Sequence, residues 1–273
     1  MGFCSVCEYM AKDSLKLPFN FDPERLKQDL NIISNGKWTP HFNTGYYQGE
    51  WSGVALRSIG GEANALYPDP ASPVAFTDTP MLAHCDYIQG VLASFKCEME
   101  SVRFLKLAAG SKIREHKDYK LSLEDGMIRI HIPIITDPRI DFFVNNHKVV
   151  MNEGECWYIN FNLPHRVHNY SDIDRVHLVI DCVVNDWVRS IIAISEAQSE
   201  HLPAATFANG LEQFRQRVLE DSALQEKLRE TPDMKTFLDL TLQLGNDLGY
   251  SFTVEDLEHV MKESRLAWLQ RWI

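Results

Sequence analysis

Met127-Ile-Arg-Ile-His-Ile-Pro-Ile134 and Arg175-Val-His-Leu-Val-Ile-Asp181 alternate between apolar and polar side chains over most of their length, the period of strands that lean one face on a core. Arg129 and His131 share a face in the first segment, and Arg175, His177 and Asp181 share one in the second. Unpaired buried charge is costly, so polar residues converging on the inside of a sheet imply partners or a ligand. Two further groups flank them, His116-Lys-Asp118 and Pro164-His165. Two imidazoles and one carboxylate make a facial triad that binds Fe(II) and leaves positions open for a co-substrate and oxygen. Arg175 follows His165 by ten positions, and its planar fork suits the far carboxylate of a keto acid. For any one histidine a solvated or satisfied structural role is the plainer reading; the ordered set argues for a metal site.

Strand-like patterning runs from residue 99 to 185, and the matching segments within it resemble the aspartyl/asparaginyl β-hydroxylase family of 2-oxoglutarate-dependent oxygenases, together with the bacterial free-proline hydroxylases related to it. These segments are Leu107-Ala-Ala-Gly-Ser-Lys-Ile-Arg-Glu-His116, Ile128-Arg-Ile-His-Ile-Pro133, Gly154-Glu-Cys-Trp-Tyr-Ile-Asn160, Leu163-Pro-His165 and Asp174-Arg-Val-His-Leu-Val-Ile-Asp181, and the likeness spans about Asn35 to Trp187. The resemblance implies a mainly β fold, a double-stranded β-helix of the jelly-roll or cupin type with flanking helices. It also implies that His116, Asp118 and His165 hold Fe(II), that Arg175 pairs with the side-chain carboxylate of 2-oxoglutarate, and that Arg129 and His131, with His177 nearby, help hold that co-substrate. Oxygen would be the second co-substrate, succinate and carbon dioxide would be released, and an amino acid side chain, free or in a peptide, would be hydroxylated. Two departures stand out. The animal peptide hydroxylases lack the carboxylate that Asp118 supplies, and they carry a serine where this chain has Leu105. Substrate identity therefore transfers from neither branch, and a non-catalytic barrel that binds or senses remains the alternative.

Substrate-facing candidates are Trp38, Arg57, Tyr119, Asn160 and Asn162: an arginine suits a carboxylate and aromatic rings can wall a pocket. Arg103 and Arg114 are equally available. His41, His84, His147, His201 and His259 lack neighbours at metal-ligand spacing and read as surface or satisfied structural residues, whereas His168 competes with His165, which the Pro-His order favours.

The 273 residues carry a formal net charge of −11 and 45% hydrophobic residues, enough apolar content for one sizeable domain and a smaller one. The acidic balance argues against a nucleic-acid partner. No apolar run approaches the length of a membrane span, and Met1-Gly-Phe-Cys-Ser-Val-Cys7 has neither a secretory signal's features nor the myristoylation pattern, so the expectation is a cytoplasmic protein. Six cysteines do not form a disulfide framework. Cys4 and Cys7 make a single C-x-x-C, a zinc or redox signal without a second pair, while Cys85, Cys97, Cys156 and Cys182 read as buried thiols.

The expected organisation is an oxygenase domain over 1–194, a connector over 195–209 and a small all-α domain over 210–273. A helical N-terminal flank is expected over Phe19 to Leu30, capped by Asp22. In the tail, Leu211, Phe214, Val218 and Leu219, continued by Leu224 and Leu228, follow helical spacing. A second helix begins at Pro232 and stops at Gly245 to Gly249, and Thr253 opens a third. Leu211-Glu-Gln-Phe214, Asp221-Ser-Ala-Leu-Gln-Glu-Lys-Leu228 and Gly249-Tyr-Ser-Phe-Thr-Val-Glu-Asp-Leu257 resemble the Nif-eleven-type leader domain of precursor peptides. No double-glycine cleavage site and core peptide follow, so the resemblance implies a retained module that docks a peptide or protein partner; a lid or dimerisation element is the other reading.

Overall fold

In the computed structural model the described residues are 13–34, 38–67, 73–201, 210–250, 252–254 and 257; Cys4 and Cys7 lie outside them. The chain forms two compact units, residues 1–199 and 200–273.

The first unit runs β1 (Ser14–Asn20), α1 (Pro23–Ser34), β2 (Thr39–Pro40), β3 (Tyr47–Gln48), β4 (Trp51–Ile59), β5 (Phe76–Asp78), α2 (Asp86–Ala93), β6 (Met99–Leu107), β7 (Lys112–His116), β8 (Met127–Ile135), β9 (Ile140–Val144), β10 (His147–Lys148), β11 (Glu155–Ile159), β12 (His165–Asn169) and β13 (Arg175–Val183), followed by α3 (Asp186–His201). All ladders are antiparallel. The major sheet has the order β1-β11-β8-β13-β6-β4-β2, with β5 beside β4, and the minor sheet has the order β10-β9-β12-β7-β3. Two facing sheets of this kind are the expected double-stranded β-helix.

Strict alternation divides the major sheet between two cores. Ile128, Ile130, Ile132 and Ile134 of β8 and Val176, Leu178, Ile180 and Cys182 of β13 point away from the barrel, where they meet Leu26 and Leu30 of α1, Ile88 of α2 and Val188 of α3. The opposite face joins the minor sheet in a second cluster that includes Leu105, Leu107, Val144, Ile159, Val167 and Val179. Arg129, His131, Arg175, His177 and Asp181 therefore lie inside the barrel. Pro133 cannot donate to the β13 ladder, and the register slips between Val176 and His177, the residue opposite it, a local bulge of the sort a missing donor permits. The bend from β12 into β13 is pinned by buried Asn169, whose amide donates to Leu107 O at 3.1 Å and Ile173 O at 2.8 Å.

Two expectations of this unit change. Phe19 belongs to β1, because Leu15 and Leu17 alternate into the core and the strand pairs with β11; the helix starts after Asp22, the expected cap, which accepts from the Glu24 and Arg25 amides. The segment read as a connector begins as helix, since α3 extends to His201 with Ile192 and Ser195 buried.

The second unit contains α4 (Gly210–Glu220), α5 (Ser222–Arg229) and α6 (Met234–Asp247) around Phe214, Phe252 and Leu257. Helical spacing across Leu219 and Leu224 reads as one helix, but Asp221 is extended and its carboxylate caps α5 at the Ala223 and Leu224 amides. Asp233 caps α6 in the same way at Thr236. Gly245 does not stop this helix; it lies inside it, where a Cβ would strike the Phe252 ring. The stop is Gly249, with φ of +83° and a Tyr250 N–H bond back to Gly245 O, a glycine-terminated cap. Beyond Thr253 the expected third helix falls mainly outside the described residues. No described helix is long and apolar enough to cross a membrane.

Candidate metal centre

His116 closes β7 and His165 opens β12, directly opposite each other in the minor sheet. Asp118 follows on the loop, tethered by its amide to Phe161 O at 2.9 Å. One ligand atom from each of His116, Asp118 and His165 lies within 4.8 Å of the others. His116 Nδ1 donates to Arg114 O at 2.8 Å and His165 Nδ1 to Leu163 O at 3.0 Å. A carbonyl only accepts, so both protons sit on Nδ1 and both Nε2 lone pairs are free, the state a metal ligand needs. Those lone pairs converge at 3.2 Å, near the ~3 Å spacing of two nitrogens bound at right angles about 2.1 Å from one cation. Asp118 Oδ1 stands 3.8 Å from His116 Nε2. Burial, reinforced by His116, lowers the His165 pKa to about 4, keeping the ring neutral.

A run of alternating charge fixes the carboxylate. Arg129 Nη1 donates to Asp118 Oδ2 at 2.7 Å, and its Nε and Nη2 grip Asp181 at 2.6 and 3.1 Å. Asp118 thus has one oxygen committed to the guanidinium and the other turned to the imidazole. Asp181 also accepts from Arg103 Nη1 at 2.9 Å. Burial alone would raise the Asp181 pKa, but Arg103 and Arg129 outweigh it and hold the carboxyl well below the usual range.

Deeper along β13 lies a second polar group. Arg175 Nη2 donates to His177 Nδ1 at 3.1 Å, and His131 Nδ1 meets the same atom at 3.1 Å. Because the arginine can only donate, His177 Nδ1 is the acceptor and His131 Nδ1 carries a proton. His131 Nε2 and Arg175 Nε are buried without a partner among the described residues. Arg175 and His177 line a cavity with Phe142, Lys148, Met151 and Asn152. Phe161 links the two groups, its ring centroid 5.1 Å from His131 and 4.7 Å from His165. Burial depresses the pKa of both His131 and His177, with Arg175 adding to the effect.

The residues singled out as substrate-facing are found in the following settings. Trp38 packs on the outer core, with the Lys106 ammonium 5.0 Å from its ring centroid. Arg57 spends its donors on Met99 O, Phe76 O and Asp78, tying β5 to the sheet. Tyr119 is 86% exposed. Asn162 closes a turn through Leu121 N and Asp125, and Asn160 accepts from Asn162 N. His168 stacks on Tyr170 instead of joining the triad. Cys85, Cys156 and Cys182 are buried free thiols and Cys97 is half-buried.

Sequence reasoning missed several neighbours of the triad, among them Tyr46, whose ring centroid lies 4.7 Å from that of His116, and two others. His41, read as an ordinary histidine, is buried: it stacks on Trp51 at 3.6 Å and meets Tyr67 edge-on at 4.5 Å. Burial takes its pKa to about 4, with Asp118 pulling upward and His116 and Arg103 downward, which puts His41 within electrostatic reach of the triad. The second is Tyr67: burial raises its pKa most, and it responds to Arg103, Arg129 and Asp118 as well. The cluster of rings between Trp38 and Trp51 was the available signal.

The aspartyl/asparaginyl beta-hydroxylase family model matches residues 22–184. The chain belongs to this family. A Nif11 domain model matches residues 208–257. L-proline cis-4-hydroxylase of Rhizobium meliloti (strain 1021) is 26% identical over 165 residues, covering 59% of this chain and 57% of the relative. L-proline cis-3-hydroxylase 1 of a Streptomyces species is 27% identical over 169 residues, covering 59% and 56%. The chain thus spans little more than half the length of these curated relatives. Among solved structures, a Pseudomonas putida prolyl-4-hydroxylase is similar over 63% of this chain and 93% of that one, at 12% identity and a TM-score of 0.42.

Proposed function

We propose that this family member is an Fe(II)- and 2-oxoglutarate-dependent dioxygenase that hydroxylates an amino acid side chain, free or in a peptide, with release of succinate and carbon dioxide. The observation that carries this reading is the convergence of two unprotonated Nε2 atoms and one carboxylate oxygen on a single point, a donor set that calls for a divalent cation. When bound, the iron and keto acid supply the oxidising power. The protein's residues do the rest. His116, Asp118 and His165 would hold the cation, and Arg129 binds one oxygen of Asp118 and leaves the other for it. Arg175, buried with Nε unanswered, holds the distal carboxylate of the co-substrate, while His177 and His131 fix the guanidinium and the pocket wall. The similarity to proline hydroxylases supports an amino acid as substrate.

The test is an anaerobic titration of Fe(II)-loaded protein with 2-oxoglutarate, following the visible charge-transfer band of a chelated keto acid. A saturable band that disappears in His165→Ala is expected. Bound iron without a band would move the assignment to a non-catalytic binding barrel.

For the C-terminal unit the Nif11 match supports recruitment of a peptide or protein partner. Removing residues 210–273 should then leave uncoupled decarboxylation of 2-oxoglutarate intact; a folded but inactive truncation would favour a lid or dimerisation role.

A further inference from the structure

Arg103 is wholly buried in β6, yet only one guanidinium nitrogen is used: Nη1 donates to Asp181 at 2.9 Å and to Ser101 Oγ at 2.7 Å. Nε and Nη2 have no partner among the described residues. These two nitrogens form the side edge of the fork, the edge that grips a carboxylate with two parallel bonds. The guanidinium carbon lies 5.6 Å from the Tyr67 ring centroid, and the Tyr67 hydroxyl is also buried without a partner. Three buried donor atoms left idle are expensive to maintain unless a ligand answers them.

Charge balance favours an anion as that ligand. Arg103, Asp181, Arg129 and Asp118 cancel as they stand; a divalent cation on Asp118 would leave the group with excess positive charge. The aromatic wall of Tyr67, His41 and Trp51 offers apolar surface beside those donors. Arg175 lies in the separate, deeper group, so the two arginines suit two different carboxylates.

We propose that Arg103 and Tyr67 form the subsite for a carboxylate of the substrate, whose aliphatic part rests on His41 and Trp51. The assignment rests on the oxygenase reading for its meaning, but its binding test does not. The carboxylate could be the free α-carboxylate of an amino acid or the side chain of an acidic residue in a peptide.

The experiment is calorimetry on metal-loaded full-length protein with L-proline, L-leucine and L-aspartate, the amide of each, and a blocked tripeptide with a central aspartate. At least one free acid should bind at least tenfold more tightly than its amide; preference for the blocked tripeptide over all three free acids would retain the subsite and assign it to acidic residues. Tyr67→Phe, which removes only a hydroxyl, should weaken that carboxylate roughly tenfold with the 2-oxoglutarate titration unchanged, and Arg103→Met should weaken it roughly 100-fold. Acids and amides binding equally, no probe binding at all, or Tyr67→Phe weakening 2-oxoglutarate instead would overturn the proposal. Carboxylate binding that depends on Arg103 and Tyr67 in a protein that gives no keto-acid band would sink the oxygenase reading and leave the subsite standing.

Discussion

Replacing Asp181 by Asn keeps the side chain's size and removes its charge, which isolates what the carboxylate does. Asp181 accepts three hydrogen bonds from two guanidinium groups, at 2.6, 3.1 and 2.9 Å, and its side chain is only 2% exposed. An asparagine must turn an NH2 toward at least one of these donors whichever way it flips, so one arginine faces a donor and both lose their shared counter-charge. Breaking a buried ion pair by removing one partner costs about 3–5 kcal/mol. For a unit of this size each kcal/mol shifts the melting temperature by roughly 2–4 °C, so Asp181→Asn should lower it by about 6–20 °C. Differential scanning calorimetry of wild type and variant measures this. With Arg129 unpinned, Asp118 should also hold the metal less well, and a Co(II) titration read by its visible d–d bands should show weaker binding. A variant that melts within about 2 °C of wild type and binds Co(II) equally well would refute the alternating-charge account.

Other substitutions test neighbouring steps. His165→Ala and His116→Ala should each weaken Co(II) binding by at least about 100-fold, and a variant that retains wild-type binding by equilibrium dialysis is not a ligand. Arg175→Leu should raise the half-saturating 2-oxoglutarate concentration by roughly 10–100-fold, with the metal titration unmoved; an unchanged 2-oxoglutarate dependence would remove Arg175 from the co-substrate site. His41, with its pKa lowered from 6.5 to about 4 by burial, takes up its proton more readily when unfolded. Its contribution to stability is therefore complete above pH 6.5 and declines as pH falls from 6.5 toward 4. That contribution is at most about 3.5 kcal/mol, because each tenfold difference in proton affinity between the folded and unfolded chain corresponds to about 1.4 kcal/mol. Denaturant titrations at about pH 7.5, above that window, and about pH 4.5, near its lower end, should show the wild type losing more stability than His41→Phe, and parallel losses would show that His41 does not titrate differently on folding.

What could be read from the sequence depended on how each residue is held. Arg129, His131, Arg175, His177 and Asp181 sit on strands whose other face is almost entirely Ile, Val and Leu, so their inward orientation follows from the two-residue period alone. Arg103 is on an equally regular strand, but Ser101-Val-Arg-Phe-Leu-Lys-Leu107 has a basic residue on each face and apolar residues on both, and nothing local says that Arg103 is inside and Lys106 outside. The three-dimensional pairing of β6 with β13, which sets Arg103 opposite Val179, decides it. His41 is harder still, because its burial comes from rings stacked across a non-periodic loop. In the tail, the apolar spacing runs through Asp221 without a break, and only the capping bonds of its carboxylate divide the pattern into two helices. Gly245 misled for the opposite reason: a glycine required by the Phe252 ring resembles a helix stop.

The two arginines flanking the triad and the arginine deeper in the barrel differ in one respect that bears on their tasks. Arg129 is largely buried, and burial alone would depress its pKa, yet Asp181 and Asp118 drive it upward. Arg175 is more deeply buried, and burial lowers its pKa to about 9; Asp137 lines the same cavity, but no ion pair joins a carboxylate to Arg175 among the described residues. Val179 stands between His177 and Asp181 on the inner face of β13 and is itself packed in the barrel's apolar cluster, so the carboxylate that serves Arg129 and Arg103 does not serve Arg175. At neutral pH Arg175 still carries its charge, and His177 and His131, held neutral, contribute none of opposite sign. One end of the polar interior is thus balanced by its own residues before any metal arrives, and the other keeps a lone buried cation that an incoming carboxylate would relieve. Under the proposed function such an arrangement suits the deep position to an anion from the outset, whereas the upper position would suit one only when a divalent cation occupies the triad.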